Sequence, residues 1–179
     1  MASLAHQYLT LEEFDRLHGD SKPYHEYWFG EAIPKATPVK LHGLLQKILM
    51  LLLDGIGFES IPELRLKLSN EVQPVPDVVA TSSPIPGLYP TEPFDAAVEI
   101  LSPNDSMQYV MRKCRMYSRW GIKHILVFDP EDKAAYEWNH SNASLEAVGV
   151  LRFEGKREIP VTEIWAELDA RVKRLDGIA

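Results

Sequence analysis

Two carboxylates lie inside segments that otherwise have the composition of buried strands. Asp77 stands near the start of the apolar run 75–80, and Glu99 stands within the apolar run 98–101. Strand interiors disfavour Asp and Glu, and a buried carboxylate without a partner costs several kcal/mol. A fold that contains both segments must therefore bring a cation or hydrogen-bond donors to each carboxylate.

The two carboxylates have alternative interpretations. Either one alone is more simply an edge residue or half of a salt bridge. Two of them among branched aliphatic residues favour a shared cation. If their strands pair, Asp77 and Glu99 project toward one point and offer the hard oxygen ligands that Mg²⁺ prefers.

A lysine follows on the next predicted helix. Lys113 lies 14 residues after Glu99, and helical spacing places it on one face with Tyr117 and Trp120. Val110 and Cys114 beside it indicate that this face turns toward the sheet. The alternative is a lysine whose stem covers the core while its ammonium reaches solvent.

Hydrophobic periodicity predicts an α/β fold in which helices pack on a mixed sheet. The 179 residues suit one domain over 1–172, followed by a tail over 173–179. Thr10 with Glu13 forms a capping box that predicts a short opening helix, and Ser102, Asn104 or Asp105 is expected to cap the third helix. The later helices are predicted over 39–54, 105–120 and 162–168, with a hairpin over 24–28 and 31–35 and strands over 58–61, 63–68, 77–81, 96–101, 123–128, 134–138 and 144–151.

Charge gives two opposing indications about nucleic acid. The net charge of −7, from 19 basic and 26 acidic residues, argues mildly against binding because phosphate contacts dominate such affinities. Residues 106–128, however, contain five basic residues and no acid. They form either a basic binding face or a solvated helix face.

The only cysteine, Cys114, cannot form an internal disulfide, so a reducing cytoplasm is expected. The N-terminus lacks the pattern of a signal peptide. The longest strongly apolar run, 48–53, is far short of the ~20 residues that cross a bilayer, so no membrane association is expected.

Six short motifs follow one another over roughly residues 8–140: His25-Glu26, Gly30-Glu31, Pro76-Asp77-Val78, residues 98–103, Lys113 with Tyr117, and Gly121 with Val127, Asp129 and Pro130. In this order they resemble the Uma-two family of restriction-endonuclease-like proteins, within the PD-(D/E)XK nuclease superfamily. The usual superfamily pattern has its lysine two positions after the glutamate, where this chain has Leu101. The resemblance implies a restriction-endonuclease-like mixed β-sheet flanked by helices, with the lysine moved to the following helix.

The resemblance also implies a site. Asp77, Glu99 and Lys113 would be catalytic, and magnesium or manganese would bind Asp77, Glu99 and the backbone carbonyl of Ile100. Glu31 matches an acidic family position and is a further candidate ligand, or else a solvent-facing turn residue. The candidate substrate contacts are His42, Tyr117 and Arg112; His42 is alternatively a half-buried histidine with a structural partner.

The function that the resemblance implies is metal-dependent hydrolysis of DNA phosphodiester bonds by a homodimer. One alternative is a binding or regulatory module that keeps the fold without turnover. Another is a phosphatase that uses Asp129, although Glu131 stands where a second aspartate would be wanted. The chain has no Gly-rich phosphate loop, Cys/His zinc cluster or Gly-x-Ser-x-Gly motif, so nucleotide hydrolysis, structural zinc and serine-esterase chemistry lack support.

Overall fold

The protein is described by a computed structural model over residues 8–19, 22–36, 38–103 and 105–177. The helices are α1 (Leu11–His18), α2 (Lys40–Gly55), α3 (Met107–Trp120) and α4 (Val161–Asp176). The strands are β1 (His25–Trp28), β2 (Glu31–Pro34), β3 (Glu59–Pro62), β4 (Val72–Gln73), β5 (Val78–Thr81), β6 (Ala96–Ile100), β7 (His124–Asp129), β8 (Ala134–Asn139), β9 (Ser144–Ala147), β10 (Val150–Leu151) and β11 (Ile159–Pro160).

The main sheet has six strands in the order β3-β5-β6-β7-β8-β9. Within it β6 and β7 are parallel and every other pair is antiparallel. A parallel pair needs a crossover connection, and α3 supplies it. Because β5 and β6 are antiparallel, the start of β5 lies beside the end of β6, and Asp77 N donates to Val98 O at 3.0 Å. The two predicted carboxylates are therefore neighbours at one end of the sheet.

Helices cover both faces of this sheet, so its central strands are apolar almost throughout. Alternate residues such as Val98 and Ile100 belong to a core shared with α2 and α4. The intervening Ala97 belongs to a second core with α3. This alternation turns Glu99 toward α3, because successive strand residues point to opposite faces.

A smaller sheet, in the order β2-β1-β4, lies beside the main one. The predicted hairpin is present, with its turn at Phe29-Gly30, where both residues have positive φ, as a two-residue hairpin turn requires. The hairpin contributes Glu26 from β1 to the interior, where it is 1% exposed.

Several predicted elements differ from the structure. Residues 63–68 form no strand: Glu63 has φ +50, and Leu66 N bonds to Pro74 O outside any sheet. The predicted strand 144–151 is divided into β9 and β10, which pair with β8 and β11 respectively. The two-residue strands β4 and β11 are too short to show a period, and the sequence did not predict them.

The ends of two helices also differ from the prediction. Helix α3 has Ser106 as its N-cap residue, without a side-chain capping bond, and it ends at Trp120 as predicted, with Gly121 as its C-cap. The candidate cap Asn104 lies outside the described residues. Helix α4 continues to Asp176, past the predicted end at Leu168 and into the segment treated as a tail. Within the described part of the chain, no helix combines the length and apolar character needed to cross a bilayer.

Helix α2 offers a matched test of the packing. Leu49 is 1% exposed in the core under α2, whereas Leu51, on the same helix, is 52% exposed. Leu49→Ala should lower the free energy of unfolding by about 2–5 kcal/mol, because it removes buried methyl groups and leaves a cavity. Leu51→Ala should change it by less than about 0.5 kcal/mol. Urea denaturation measures both, and equal losses would contradict this orientation of α2.

Candidate active site

A cleft of about 290 Å³ opens where β5 begins and β6 ends. The hairpin, the first turn of α2, both strands and α3 all contribute to its lining. The lining residues that form ion pairs with one another are Glu26, Lys35, His42, Asp77, Glu99 and Lys113. Five of these are buried, and Lys35 has a side chain that is 13% exposed. The structure therefore brings together the three residues predicted to be catalytic and adds two more charged groups.

Asp77 is held on both of its oxygens. Oδ2 accepts the backbone N–H of Ile100 at 2.7 Å, and Oδ1 accepts Lys35 Nζ at 2.7 Å. His42 Nε2 lies 3.4 Å from the same Oδ1. Burial by itself raises the pKa of Asp77, but Lys35 and His42 outweigh it and hold that pKa well below its usual range. Asp77 is therefore an anion at neutral pH.

Glu99 has fewer partners. Oε2 accepts Lys113 Nζ and Oε1 accepts the Tyr117 hydroxyl, each at 2.6 Å. Burial raises the pKa of Glu99 to about 7; Lys113 opposes this shift, and the charges of Asp77 and Glu26 add to it. At neutral pH this carboxyl is thus near the midpoint of its titration.

Glu26 is a member of the site to which the sequence analysis assigned no role. Oε1 accepts Val75 N at 2.9 Å and Lys113 Nζ at 2.8 Å, and Oε2 accepts Trp28 Nε1 at 3.1 Å and the Tyr109 hydroxyl. Burial raises the pKa of Glu26, but Lys113 and Lys35 outweigh it and the net shift is downward. Four donors stabilise this anion, against two for Glu99, so Glu99 is the partner of Lys113 that holds a proton more readily.

Lys113 bridges Glu26 and Glu99 from α3. As predicted, its helix face turns toward the sheet, and its side chain is 5% exposed. Burial by itself lowers the pKa of Lys113, but the charges of Glu26 and Glu99 raise it well above its usual range. Lys113 is therefore a fixed positive charge and cannot accept a proton at neutral pH.

Lys35 and His42 complete the other side of the cleft. Lys35 follows β2 and donates both to Asp77 and to Val75 O, the latter at 2.8 Å. Lys35 is not among the predicted site residues; its only local signal is its position as the last residue of the predicted hairpin strand 31–35. His42 Nδ1 lies 3.2 Å from Ser102 Oγ, so the histidine connects Asp77 to the loop that follows β6.

Three predicted site residues lie elsewhere. Glu31 lines a different depression, together with Arg112, whose guanidinium stacks 4.6 Å from the Trp28 ring centroid and 5.5 Å from that of Phe29. Tyr117 is fully buried with its hydroxyl bonded to Glu99, so its place is behind Glu99 and not on the cleft surface. The structure thus does not bring Glu31 or Arg112 to Asp77, and it gives Tyr117 a supporting contact.

The chemistry of the donors fits a divalent ion with few protein ligands. Among the described residues, no group of three or more His, Cys, Asp or Glu is arranged to hold a metal. Mg²⁺, however, is commonly bound by one or two carboxylates, with waters and substrate phosphates completing its shell. Asp77 and Glu99 supply two carboxylates, and Ile100 brings its backbone to the same cleft.

Comparison with known proteins places this arrangement in context. The model of the Uma2 family, described as "Putative restriction endonuclease", matches residues 11–172. The structure is similar to the crystal structure of a putative nuclease belonging to DUF820 from Anabaena variabilis, with a TM-score of 0.79 and 20% identity over 89% of this chain and 99% of that one. The search of curated proteins found no match. The predicted family and the predicted α/β nuclease fold are both confirmed.

The raised pKa of Glu99 predicts how stability depends on pH. With a folded pKa of about 7 against an ordinary value of 4.5, the folded state binds more protons than the unfolded state between these values. Stability contributed by Glu99 is therefore present below pH 4.5 and is lost as pH rises through 7. Glu99→Gln cannot ionise, so it does not lose this stability as pH rises. We therefore expect the difference in unfolding free energy, variant minus parent and without metal, to increase by roughly 2–3 kcal/mol from pH 4.5 to pH 8.

Urea denaturation in EDTA across this pH range measures the difference. Glu131→Gln, at an exposed turn, serves as the control and should follow the parent. If Glu99→Gln and the parent lose stability in parallel, Glu99 does not hold a proton in the folded state.

Proposed function

Because this chain belongs to the Uma2 family, described as "Putative restriction endonuclease", we propose that it is a divalent-metal-dependent endonuclease that hydrolyses DNA phosphodiester bonds. The observation that carries the proposal is the meeting of Asp77 and Glu99, from adjacent strands, in one cleft with two lysines. Restriction-endonuclease-like families generally use divalent metal ions.

The residues that would hold magnesium or manganese are Asp77, Glu99 and the carbonyl of Ile100. A bound ion would make an attacking water more acidic and neutralise charge that develops on the phosphoryl oxygens. The five charged groups of the cleft, three carboxylates and two ammoniums, have a formal charge of −1 when all are ionised. With a divalent ion bound by these residues the sum would be +1, and the cleft would attract a phosphate that it otherwise repels.

The remaining side chains position these ligands. The Ile100 N–H fixes Oδ2 of Asp77, and Lys113 with Tyr117 fixes both oxygens of Glu99. Preorganised groups of this kind do not have to reorient during the reaction. Lys113 contributes a fixed positive charge. The pKa of Glu99 is about 7 without metal, so a divalent ion that binds this carboxylate would compete with a proton at neutral pH.

A second candidate function is a binding or regulatory module of the same fold. The observation in its favour is that Lys113 Nζ, although it lines the cleft, is already bound by two carboxylates, at 2.6 and 2.8 Å. Such a module would bind DNA or metal without cutting. The phosphatase alternative has less support, because Asp129 Oδ1 accepts the backbone N–H groups of Glu131 and Asp132 and so has a structural role in a turn.

A homodimer stays a prediction from the family resemblance, and sedimentation velocity on the purified chain tests it.

Cleavage of supercoiled plasmid in Mg²⁺ tests the proposed activity. Asp77→Asn keeps the shape of the side chain and removes the ligand charge, so the cleavage rate should fall by a factor on the order of 10²–10³. Asp129→Asn is the matched control, with its carboxylate in a turn outside the cleft, and should cut at close to the parent rate.

EDTA should stop the parent enzyme. An Asp77→Asn variant as fast as the parent would overturn the assignment of the cleft. A parent that binds plasmid or Mn²⁺ and does not cut would favour the binding module.

A further inference from the structure

We propose that Lys35 is an exchangeable counter-ion of Asp77: it holds the carboxylate in the absence of metal, gives it up to the divalent ion, and then contacts a phosphate of the substrate. This inference rests on the proposed function and adds a substrate-binding residue to it. Lys113, the lysine predicted to be catalytic, is bound between two carboxylates, so the geometry of the two lysines favours Lys35 as the contact to a substrate phosphate.

Lys35 occupies the oxygen that a metal would use. Its Nζ lies 2.7 Å from Asp77 Oδ1, the oxygen that the backbone N–H of Ile100 leaves available. A hard divalent ion would bind Oδ1 in place of the ammonium. If both cations stayed in contact with this one oxygen, they would repel each other strongly in a buried site. Metal binding to Asp77 therefore requires Lys35 to move.

The two lysines differ in their freedom to move. Lys113 is held between two carboxylates and its side chain is 5% exposed. Lys35 is held by one carboxylate and one backbone carbonyl, and its side chain is 13% exposed. Its backbone is fixed by a hydrogen bond from Lys35 N to Tyr24 O at 2.8 Å, so the flexible stem can swing from a constant base.

Asp77 keeps its position when Lys35 leaves. Oδ2 remains bonded to the Ile100 N–H, and His42 Nε2 remains 3.4 Å from Oδ1. The released ammonium stays in the cleft that Lys35 lines. There it becomes a mobile point charge that can donate to phosphate oxygens, which is how lysine commonly binds phosphate.

Lys35→Gln should change two affinities in opposite directions, that for Mn²⁺ upward and that for DNA downward. Without DNA, the variant lacks the competing cation and should bind Mn²⁺ about tenfold more tightly than the parent by calorimetry. In saturating Ca²⁺, used as a divalent ion that supports binding, it should bind a DNA duplex about tenfold more weakly because one phosphate contact is lost. A residue that only maintains the shape of the cleft would weaken both.

Two further variants make the test specific. Lys40→Gln removes the lysine of an exposed ion pair, in which Lys40 Nζ lies 2.7 Å from Asp176 Oδ1, the same distance as in the pair of Lys35 with Asp77. This variant should leave the affinities for Mn²⁺ and for DNA unchanged. Lys35→Arg keeps the charge, so DNA binding should stay within about threefold of the parent and Mn²⁺ binding should not tighten. If Lys35→Gln fails to fold, Lys35→Arg decides: tighter Mn²⁺ binding or lost DNA binding in that variant overturns the proposal.

The outcomes separate this inference from the function on which it rests. A parent that binds Mn²⁺ and cuts DNA, with a Lys35→Gln variant of unchanged or weaker Mn²⁺ affinity, overturns the exchange alone. A parent that neither binds a divalent ion nor cuts DNA overturns the proposed function and the exchange with it.

Discussion

The buried ammonium of Lys113 between Glu26 and Glu99 is the interaction on which the rest of the structure depends. Through it α3 is joined to β1 of the small sheet and to β6 of the main sheet. Removing one member of a buried ion pair typically costs about 3–5 kcal/mol, because the remaining charge is left unpaired. The contacts of Lys113 therefore fix both the position of α3 relative to β1 and β6 and the geometry of the cleft between them.

This bridge leaves the three carboxylates with different chemistry. Glu26 accepts hydrogen bonds from four donors, and its pKa is lowered. Glu99 accepts from two donors, and its pKa is raised to about 7. Asp77 forms its ion pair with Lys35, whose side chain is more exposed than that of Asp77. Hydrogen bonding thus divides one cluster into a part with many donors, around Glu26, and a part with fewer donors, at Glu99.

The sequence predicts the members of this cluster that look anomalous within their own segment. Asp77 and Glu99 interrupt apolar strands, and Lys113 lies on an apolar helix face, so the local pattern alone indicates that each needs a partner. Glu26 alternates with its neighbours like an ordinary hairpin residue, and its partners Val75 and Lys113 are 49 and 87 residues away. The strand predicted over 63–68 is absent for a similar reason. The alternating leucines favour a strand, but the backbone of this segment forms its hydrogen bonds outside any sheet, as Leu66 N does with Pro74 O.

The same tertiary contacts change the meaning of the charge pattern on α3. Two of the five basic residues of 106–128 are turned away from solvent, because Lys113 points inward and Arg112 stacks on two aromatic rings. Arg115 and Arg119 are exposed, and so is Lys123, which pairs with Asp95. In the cleft itself, three carboxylates outnumber two lysines. Under the proposed function, we therefore expect affinity for nucleic acid to depend on the divalent ion as much as turnover does, because the ion would reverse the sign of the charge in the cleft.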